Sequence, residues 1–244
     1  MSTFDSTKTQ LSKLLDEIVQ GSIQLPDFQR GWIWDDDHIR SLLISIARLF
    51  PIGAIMLLEN GGEAKFKVRP IEGVQLKNGS SVVADRLILD GQQRLTSLTQ
   101  VLKLNSPVVT TDSNKKVIKR YYYINIEKAL EGFENYEEAF FGVEEDRVLR
   151  KNFGRDIEID LSTKEKEYKA MCFPCSQILN SDDWETGLYE FSPDKFKMYM
   201  TFREKILKSF RTYDVPVIEL KKDNKKEAVC LVFEKVNTGG VPLS

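Results

Sequence analysis

The chain has 244 residues, 41% hydrophobic and 30% charged, a globular composition long enough for one large domain or two small ones. Its 35 Lys and Arg stand against 37 Asp and Glu, and the formal charge of −2 excludes the overall basic field that holds a protein on nucleic acid without regard to sequence. A single histidine, His38, excludes histidine-metal nucleases, zincins and Ser-His or Cys-His triads as the chemistry of this segment. Cys172, Cys175 and Cys230 are too few and odd in number for a disulfide framework, no stretch approaches the ~18 apolar residues of a membrane span, and the polar start "MSTFDSTKTQ" has no signal-peptide pattern. A cytoplasmic, reducing location is expected.

Leu11, Leu14, Leu15 and Ile18 make one apolar face, predicting a helix over about residues 8–20 that Gly21 ends. "SIQLPDFQRGWIW" follows as an ordered, non-helical loop with three aromatics, bracketed by Pro26 and Gly31. Asp35 is an N-cap for a helix with the stripe Ile39, Leu42, Leu43, Ile46 and Phe50, which Pro51 terminates. "DDDHIR" places His38 in the first turn, where a solvated role is expected. "AIMLLE" reads as a buried strand, and "NGG" (60–62) as the turn of a hairpin joining it to "AKFKV". After "KNGSS", "VVADRLIL" suits a central strand with Asp90 at its end, and Leu95, Leu98, Val101 and Leu102 resume with helical spacing.

"SPVVTTDSNKKVIKR" predicts a hairpin with a lysine-bearing tip and "YYYINIE" a further strand, whereas residues 127–170 read as short helices and turns. Ser192 and Pro193 cap a helix running to Phe210, with Phe196, Tyr199, Ile206 and Phe210 inward. "YDVPVIEL" is a strand whose Pro216 points to an edge or an end, and Asn224 caps a last helix bearing Ala228, Leu231 and Val232, closed by "NTGG". The serine in the final "VPLS" sits where another helix N-cap belongs, so the chain is expected to be the N-terminal part of a longer protein.

The junction "LILDGQQRLTSL" carries the densest chemistry. A helix N-terminus offers unpaired N–H groups and partial positive charge, Gly91 admits a close ligand, and Arg94 can fork onto a phosphate. Asp90 can hold a divalent metal or orient water, and Gln92 and Gln93 can bond phosphate or that water. Spacing alone serves equally well an Asp90 N-cap, a Gly91 turn and a solvated first turn. This is not the phosphate loop G-x-x-x-x-G-K-[ST], which needs a second glycine and a lysine. Gln29 and Arg30 amid Phe28, Trp32 and Trp34 can clamp a nucleotide or simply pin a loop to the core. "NTGG" reads first as a helix C-cap, "CFPC" (172–175) lacks a partner pair for zinc, and the lysines of "LKKDNKK" and "KKVIKR" read as solvated loop charge.

Together "IQLPDFQRGWIW", "DHIRSLLISIARLFPIGAIMLLE", "LILDGQQRLTSL" and "VFEKVNTGGVPLS" resemble the DGQQR-motif family typified by the N-terminal domain of GmrSD-type modification-dependent restriction enzymes. The resemblance spans residues 23–244 and implies an α+β fold: a small mixed sheet with flanking helices, similar to ParB and sulfiredoxin, then a mainly helical second half. Residues 1–105 would form that core and residues 106–244 an extension completing the same domain. The resemblance further implies binding and hydrolysis of a nucleoside triphosphate with Mg²⁺. Asp90, Gly91, Gln92, Gln93 and Arg94 form the motif, Gln29 and Arg30 the upstream pair, and Asn237 and Thr238 the late Asn-Thr turn. In such systems DNA, often modified, is cut by a separate C-terminal histidine-metal nuclease, which this segment lacks. The alternative is a non-catalytic module that senses nucleotide or modified DNA and regulates the nuclease. A sulfiredoxin-like thiol repair is disfavoured because glutamine occupies the position of the reactive cysteine.

Overall fold

The computed structural model describes residues 4–27, 29, 33–61, 66–76, 82–152, 155–224, 228, 229, 231 and 232. In chain order these form β1 (Phe4–Gln10), α1 (Leu11–Gln20), β2 (Ile23–Pro26), α2 (Asp36–Ala47), β3 (Ile55–Glu59), β4 (Val68–Arg69), β5 (Arg86–Asp90) and α3 (Gln92–Lys103). They continue as β6 (Val108–Thr111), β7 (Val117–Asn125), α4 (Ile126–Glu131), α5 (Tyr136–Ala139), β8 (Phe140–Val143), β9 (Val148–Lys151), β10 (Asp156–Asp160) and α6 (Lys164–Ala170). The last are β11 (Cys172–Pro174), α7 (Asp182–Phe191), α8 (Pro193–Phe202), α9 (Lys208–Arg211) and β12 (Asp214–Leu220). The fold is α+β with a mixed sheet, as expected. The chain divides into two compact units: residues 1–32, 53–96 and 214–244 make unit 1, and residues 33–52 and 97–213 make unit 2.

Unit 1 is built on a six-stranded sheet in the order β1-β12-β3-β5-β2-β4. β12 runs parallel to β3 and β2 parallel to β5, while the remaining neighbours are antiparallel. In α1, Leu11, Leu14, Leu15 and Ile18 are all buried, roughly 6–12 kcal/mol of apolar transfer free energy in all. Gly21 ends the helix in the left-handed region at φ 87°, its N–H reaching Ile18 O while that of Ser22 reaches Glu17 O. The helix starts at Leu11 and not near residue 8, because residues 4–10 are the edge strand β1. The lateral order is fastened by charge: Arg86 Nη2 bonds Glu17 at 2.6 Å, and Lys221 Nζ lies 2.7 Å from Asp5 and 2.8 Å from Glu59.

One strand expectation is corrected here and another is met. β3 does not form a hairpin with the segment after "NGG": its flanks are taken by β12 and β5, and β4 pairs with β2 instead. Residues 62–65, which include Gly62 of the expected turn and the start of "AKFKV", lie outside the described residues. β12 is an interior strand despite Pro216. It pairs with β1 over its whole length but with β3 only from Val217 onward, so the proline occupies the end with a partner strand on one side only.

In unit 2, the Asp35 carboxylate accepts the His38 backbone N–H at 3.0 Å, capping α2 as expected, and His38 itself is exposed. The hydrogen bond from His38 N–H, more than any charge, holds the Asp35 carboxyl below the usual carboxylate range. The helix stops at Ala47, before Pro51, and Phe50 is exposed. β6 and β7 form the expected hairpin, with "YYYIN" continuing β7 and not starting a separate strand. β7 also pairs with β8 and β11, and β9 pairs with β10, so the region read as helices and turns contains three strands.

The helix from Pro193 to Arg211 is continuous through a π-turn at Arg203–Leu207, burying Tyr199, Phe202, Ile206 and Phe210, with Phe196 partly covered. Ser192 precedes it without a side-chain cap bond, its hydroxyl donating instead to Asp194. Phe173, Trp184, Tyr199 and Phe202 form an aromatic core. Beside it the buried Glu167 accepts from Tyr123 Oη at 2.9 Å and Trp184 Nε1 at 3.2 Å.

Candidate functional site

The site belongs to unit 1 and begins where β5 gives way to α3. β5 carries one residue too many against β3: Met56 faces Asp90 and Leu57 faces Ile88, so Leu89 is the extra residue of a bulge. A bulge leaves ladder groups unpaired, and here Gln29 supplies the missing donors. Its Nε2 donates to Ile88 O at 2.9 Å and to Leu89 O at 3.1 Å. Two carbonyls can only accept, so the amide orientation is fixed and Oε1 must face away from them. That oxygen is buried and has no hydrogen-bond partner. Gln29 is itself held by its own N–H to Pro26 O at 3.1 Å and by Arg69 Nη2 to its carbonyl at 3.0 Å.

Asp90 ends the strand and Gly91 follows in the left-handed region at φ 83°. Leu95 N–H donates to Gly91 O at 3.0 Å, so Gly91 and not Asp90 stands directly before the helix. The Asp90 carboxylate turns instead to Arg94, Oδ2 lying 3.1 Å from Nη2. The Arg94 side chain is 17% exposed and that of Asp90 41%, so the pair is rooted in the protein and open on the carboxylate side. The guanidinium lies against glycine backbone. A β-carbon on Gly53 would overlap Nη1, and one on Gly91 would come within 3.3 Å of Nη2 while overlapping Ile55 Cδ1. On the same helical turn Gln93 Oε1 is buried without a partner, as is Thr96 Oγ1. Three of the four partnerless buried side-chain polar atoms among the described residues therefore belong to Gln29, Gln93 and Thr96, the other being Arg120 Nε in unit 2. Native folds leave few such atoms, and here Gln93 and Thr96 share the first turns of α3 while Gln29 sits against the bulge before it.

The structure thus brings Gln29 to the bulge directly before Asp90 and sets Gly91, Gln93 and Arg94 on the same turn, with Gln92 half-buried at the start of α3. Arg30, Asn237 and Thr238 lie outside the described residues, as do Phe28, Trp32 and the "NTGG" turn. Gly53 and the Leu89 bulge were not foreseen: "PIG" reads as an ordinary turn, and a bulge depends on a partner strand. Among the described residues no group of three or more His, Cys, Asp or Glu is placed to hold a metal ion, so Asp90 brings a lone carboxylate. That donor set fits Mg²⁺ only as the ion is usually bound with nucleotides, through one or two carboxylates, phosphate oxygens and water.

Other candidates resolve as structural. Cys172 and Cys175 are fully buried free thiols, and burial pushes the Cys172 thiol up to about 12 and that of Cys175 further. Lys119 pairs with Glu145, and Lys221 with Asp5, Glu59 and Glu219. Among the described residues no helix is long and apolar enough to cross a membrane.

The α+β unit thus carries a glycine-lined arginine at a strand-to-helix turn. The sequence matches the GmrSD restriction endonuclease, N-terminal domain, over residues 11–244. The chain belongs to that family. It is also similar to an uncharacterized protein, MJ0686, of Methanocaldococcus jannaschii, 29% identical over 247 residues and 96% of this chain. The chain spans 39% of that relative's length.

Proposed function

We propose that unit 1 binds a nucleoside triphosphate at the β5–α3 turn and hydrolyses it, as the nucleotide-driven part of a modification-dependent DNA restriction protein. The observation that supports this is a glycine-lined guanidinium at the turn, with the buried amide oxygens of Gln93 on the same turn and of Gln29 at the bulge before it, neither of which has a partner among the described residues. Arg94 and the Gly91 amide hold phosphate oxygens, an arrangement already formed and so ready for charge that develops during transfer. Mg²⁺ bound by Asp90 and the phosphates would neutralise charge on the leaving group.

Gln93, and equivalently Gln92, positions the water whose oxygen bonds to the terminal phosphorus as the bond to the bridging oxygen breaks, releasing nucleoside diphosphate and phosphate, with the water's proton passing to the phosphate or to solvent. Gln29 borders the site at the bulge, and Arg30, Asn237 and Thr238 are the further residues of the family's motifs for which nucleotide contact is proposed, Arg30 to neutralise the charge of the transition state. DNA, modified or plain, is the partner of the whole protein, and cutting is left to a separate nuclease.

Calorimetry with ATP and GTP in the presence of Mg²⁺, followed by phosphate release, tests the reading. Arg94→Ala is expected to weaken binding by about ten- to a hundredfold, the value of a charge-assisted fork. Unchanged affinity in that variant would falsify the phosphate role.

A further inference from the structure

We infer that Gly53, in the "PIG" turn before β3, is a positioning residue of the anion site: by having no side chain it leaves the space in which the Arg94 guanidinium lies. The inference rests on the nucleotide reading for its purpose, but its geometry stands apart from that reading. Gly53 has φ 87°, and the β-carbon of any other residue there would overlap Arg94 Nη1, with Cζ at 3.4 Å and Nη2 at 3.8 Å. The distances lengthen from Nη1 through Cζ to Nη2, so the guanidinium presents its Nη1 end to the glycine. A β-carbon on Gly91 would lie 3.3 Å from Nη2, and Asp90 Oδ2 is 3.1 Å from the same atom. The nitrogen that faces Gly53 is the end of a flexible side chain, so a methyl group at 53 is accommodated by moving the guanidinium and not by unfolding the sheet. Moving it breaks the relation among Arg94, Asp90 and the Gly91 amide on which a two-point grip of a phosphate depends.

The molecule contains its own control for backbone strain. Gly61 has φ 97°, and a β-carbon there meets nothing within 4 Å. Gly61→Ala therefore imposes the same left-handed strain as Gly53→Ala without touching an arginine.

The test compares the full chain with Gly53→Ala, Gly61→Ala, Arg94→Ala and the Gly53→Ala/Arg94→Ala double variant. Inorganic tripolyphosphate is the calorimetric probe, and labelling of Arg94 by an arginine-specific dicarbonyl, read by peptide mass spectrometry, reports the guanidinium directly. Gly61→Ala is expected to match the unmodified protein in both readouts. Gly53→Ala is expected to lose at least tenfold in affinity and to label faster at Arg94, and the double variant to bind no worse than Arg94→Ala, since the two residues act as one. Wild-type affinity in Gly53→Ala beside a weakened Arg94→Ala overturns the inference, as does a loss that multiplies undiminished in the double variant. Should the unmodified protein not bind tripolyphosphate, the nucleotide reading fails and the labelling decides: faster labelling in Gly53→Ala alone upholds the positioning of Arg94, and unchanged labelling overturns it.

Discussion

Replacing Gln29 with methionine separates the two halves of its amide, because methionine keeps the length and volume of the side chain but neither donates nor accepts strongly. Loss of the 2.9 and 3.1 Å bonds to Ile88 O and Leu89 O removes stabilisation. At about 0.5–1.5 kcal/mol each, they contribute about 1–3 kcal/mol together. Removing the partnerless Oε1 acts in the opposite direction. An unsatisfied buried acceptor costs about 1–3 kcal/mol, so the two changes nearly cancel and the ligand-free variant should unfold within about 1.5 kcal/mol of the parent. In the proposed nucleotide-bound state Oε1 would gain a donor, which the variant lacks. Urea unfolding is measured with and without nucleotide. At about 100 times Kd a ligand stabilises by about 2.7 kcal/mol, and each tenfold loss of affinity removes about 1.4 kcal/mol of that. The variant should lose at least one such step. If it is instead destabilised by about 3 kcal/mol without ligand and keeps the full ligand-induced increment, Gln29 serves only the bulge and its oxygen awaits nothing.

Three further outcomes are expected. Arg86→Ala strips Glu17 and Glu219, whose side chains are only 21% and 22% exposed, of their shared cation. It should cost roughly 2–3 kcal/mol in urea unfolding, between the values of exposed and buried pairs, and a loss below about 0.5 kcal/mol would contradict the role assigned to the pair. Burial, only partly offset by Tyr123, Arg147 and Trp184, raises the Glu167 pKa above its ordinary 4.5. A carboxyl with a raised folded pKa contributes most below its unfolded pKa and loses that contribution as pH rises through the folded value. Glu167→Gln should therefore gain stability relative to the parent as pH is raised above 4.5, and a constant difference across that window would refute it. Cys172 and Cys175, both fully buried and with raised thiol pKa, should resist iodoacetamide at pH 8 until urea unfolds the chain; native labelling within minutes, located by peptide mass spectrometry, would contradict their placement.

What was legible in the sequence is what local chemistry writes. The Asp35 cap, the Leu11 to Ile18 stripe, the β6–β7 hairpin and the turn from Asp90 to Arg94 each depend on residues a few positions apart. The strands that escaped notice depend on distant partners. β1 is "FDSTKTQ", almost wholly exposed and without apolar alternation, and it exists because β12 offers it seven paired positions. "NGG" misled because a turn signal does not say which strands it joins, and β5 and β12 had taken both flanks of β3. At the site, the same division holds. Arg94 could be singled out from its neighbours in the chain, whereas the Gln29 amide gains its meaning from a bulge on another strand and Gly53 from a guanidinium about 40 residues on.

The strand order of unit 1 bears on how the protein is made. β3 meets β5 soon after synthesis but must wait for β12, and the Lys221–Glu59 contact that fastens them spans 162 residues. Closing so long a loop is not thermodynamically severe, since each doubling of length adds only about 0.6 kcal/mol. The burden falls on timing. At synthesis rates of roughly 5–20 residues per second, the flank of β3 stays unpaired for on the order of ten seconds. During that interval Ile55, Leu57 and Leu58, all buried in the finished sheet, are held out as an open apolar strand, the stretch of the nascent chain that a chaperone would meet first.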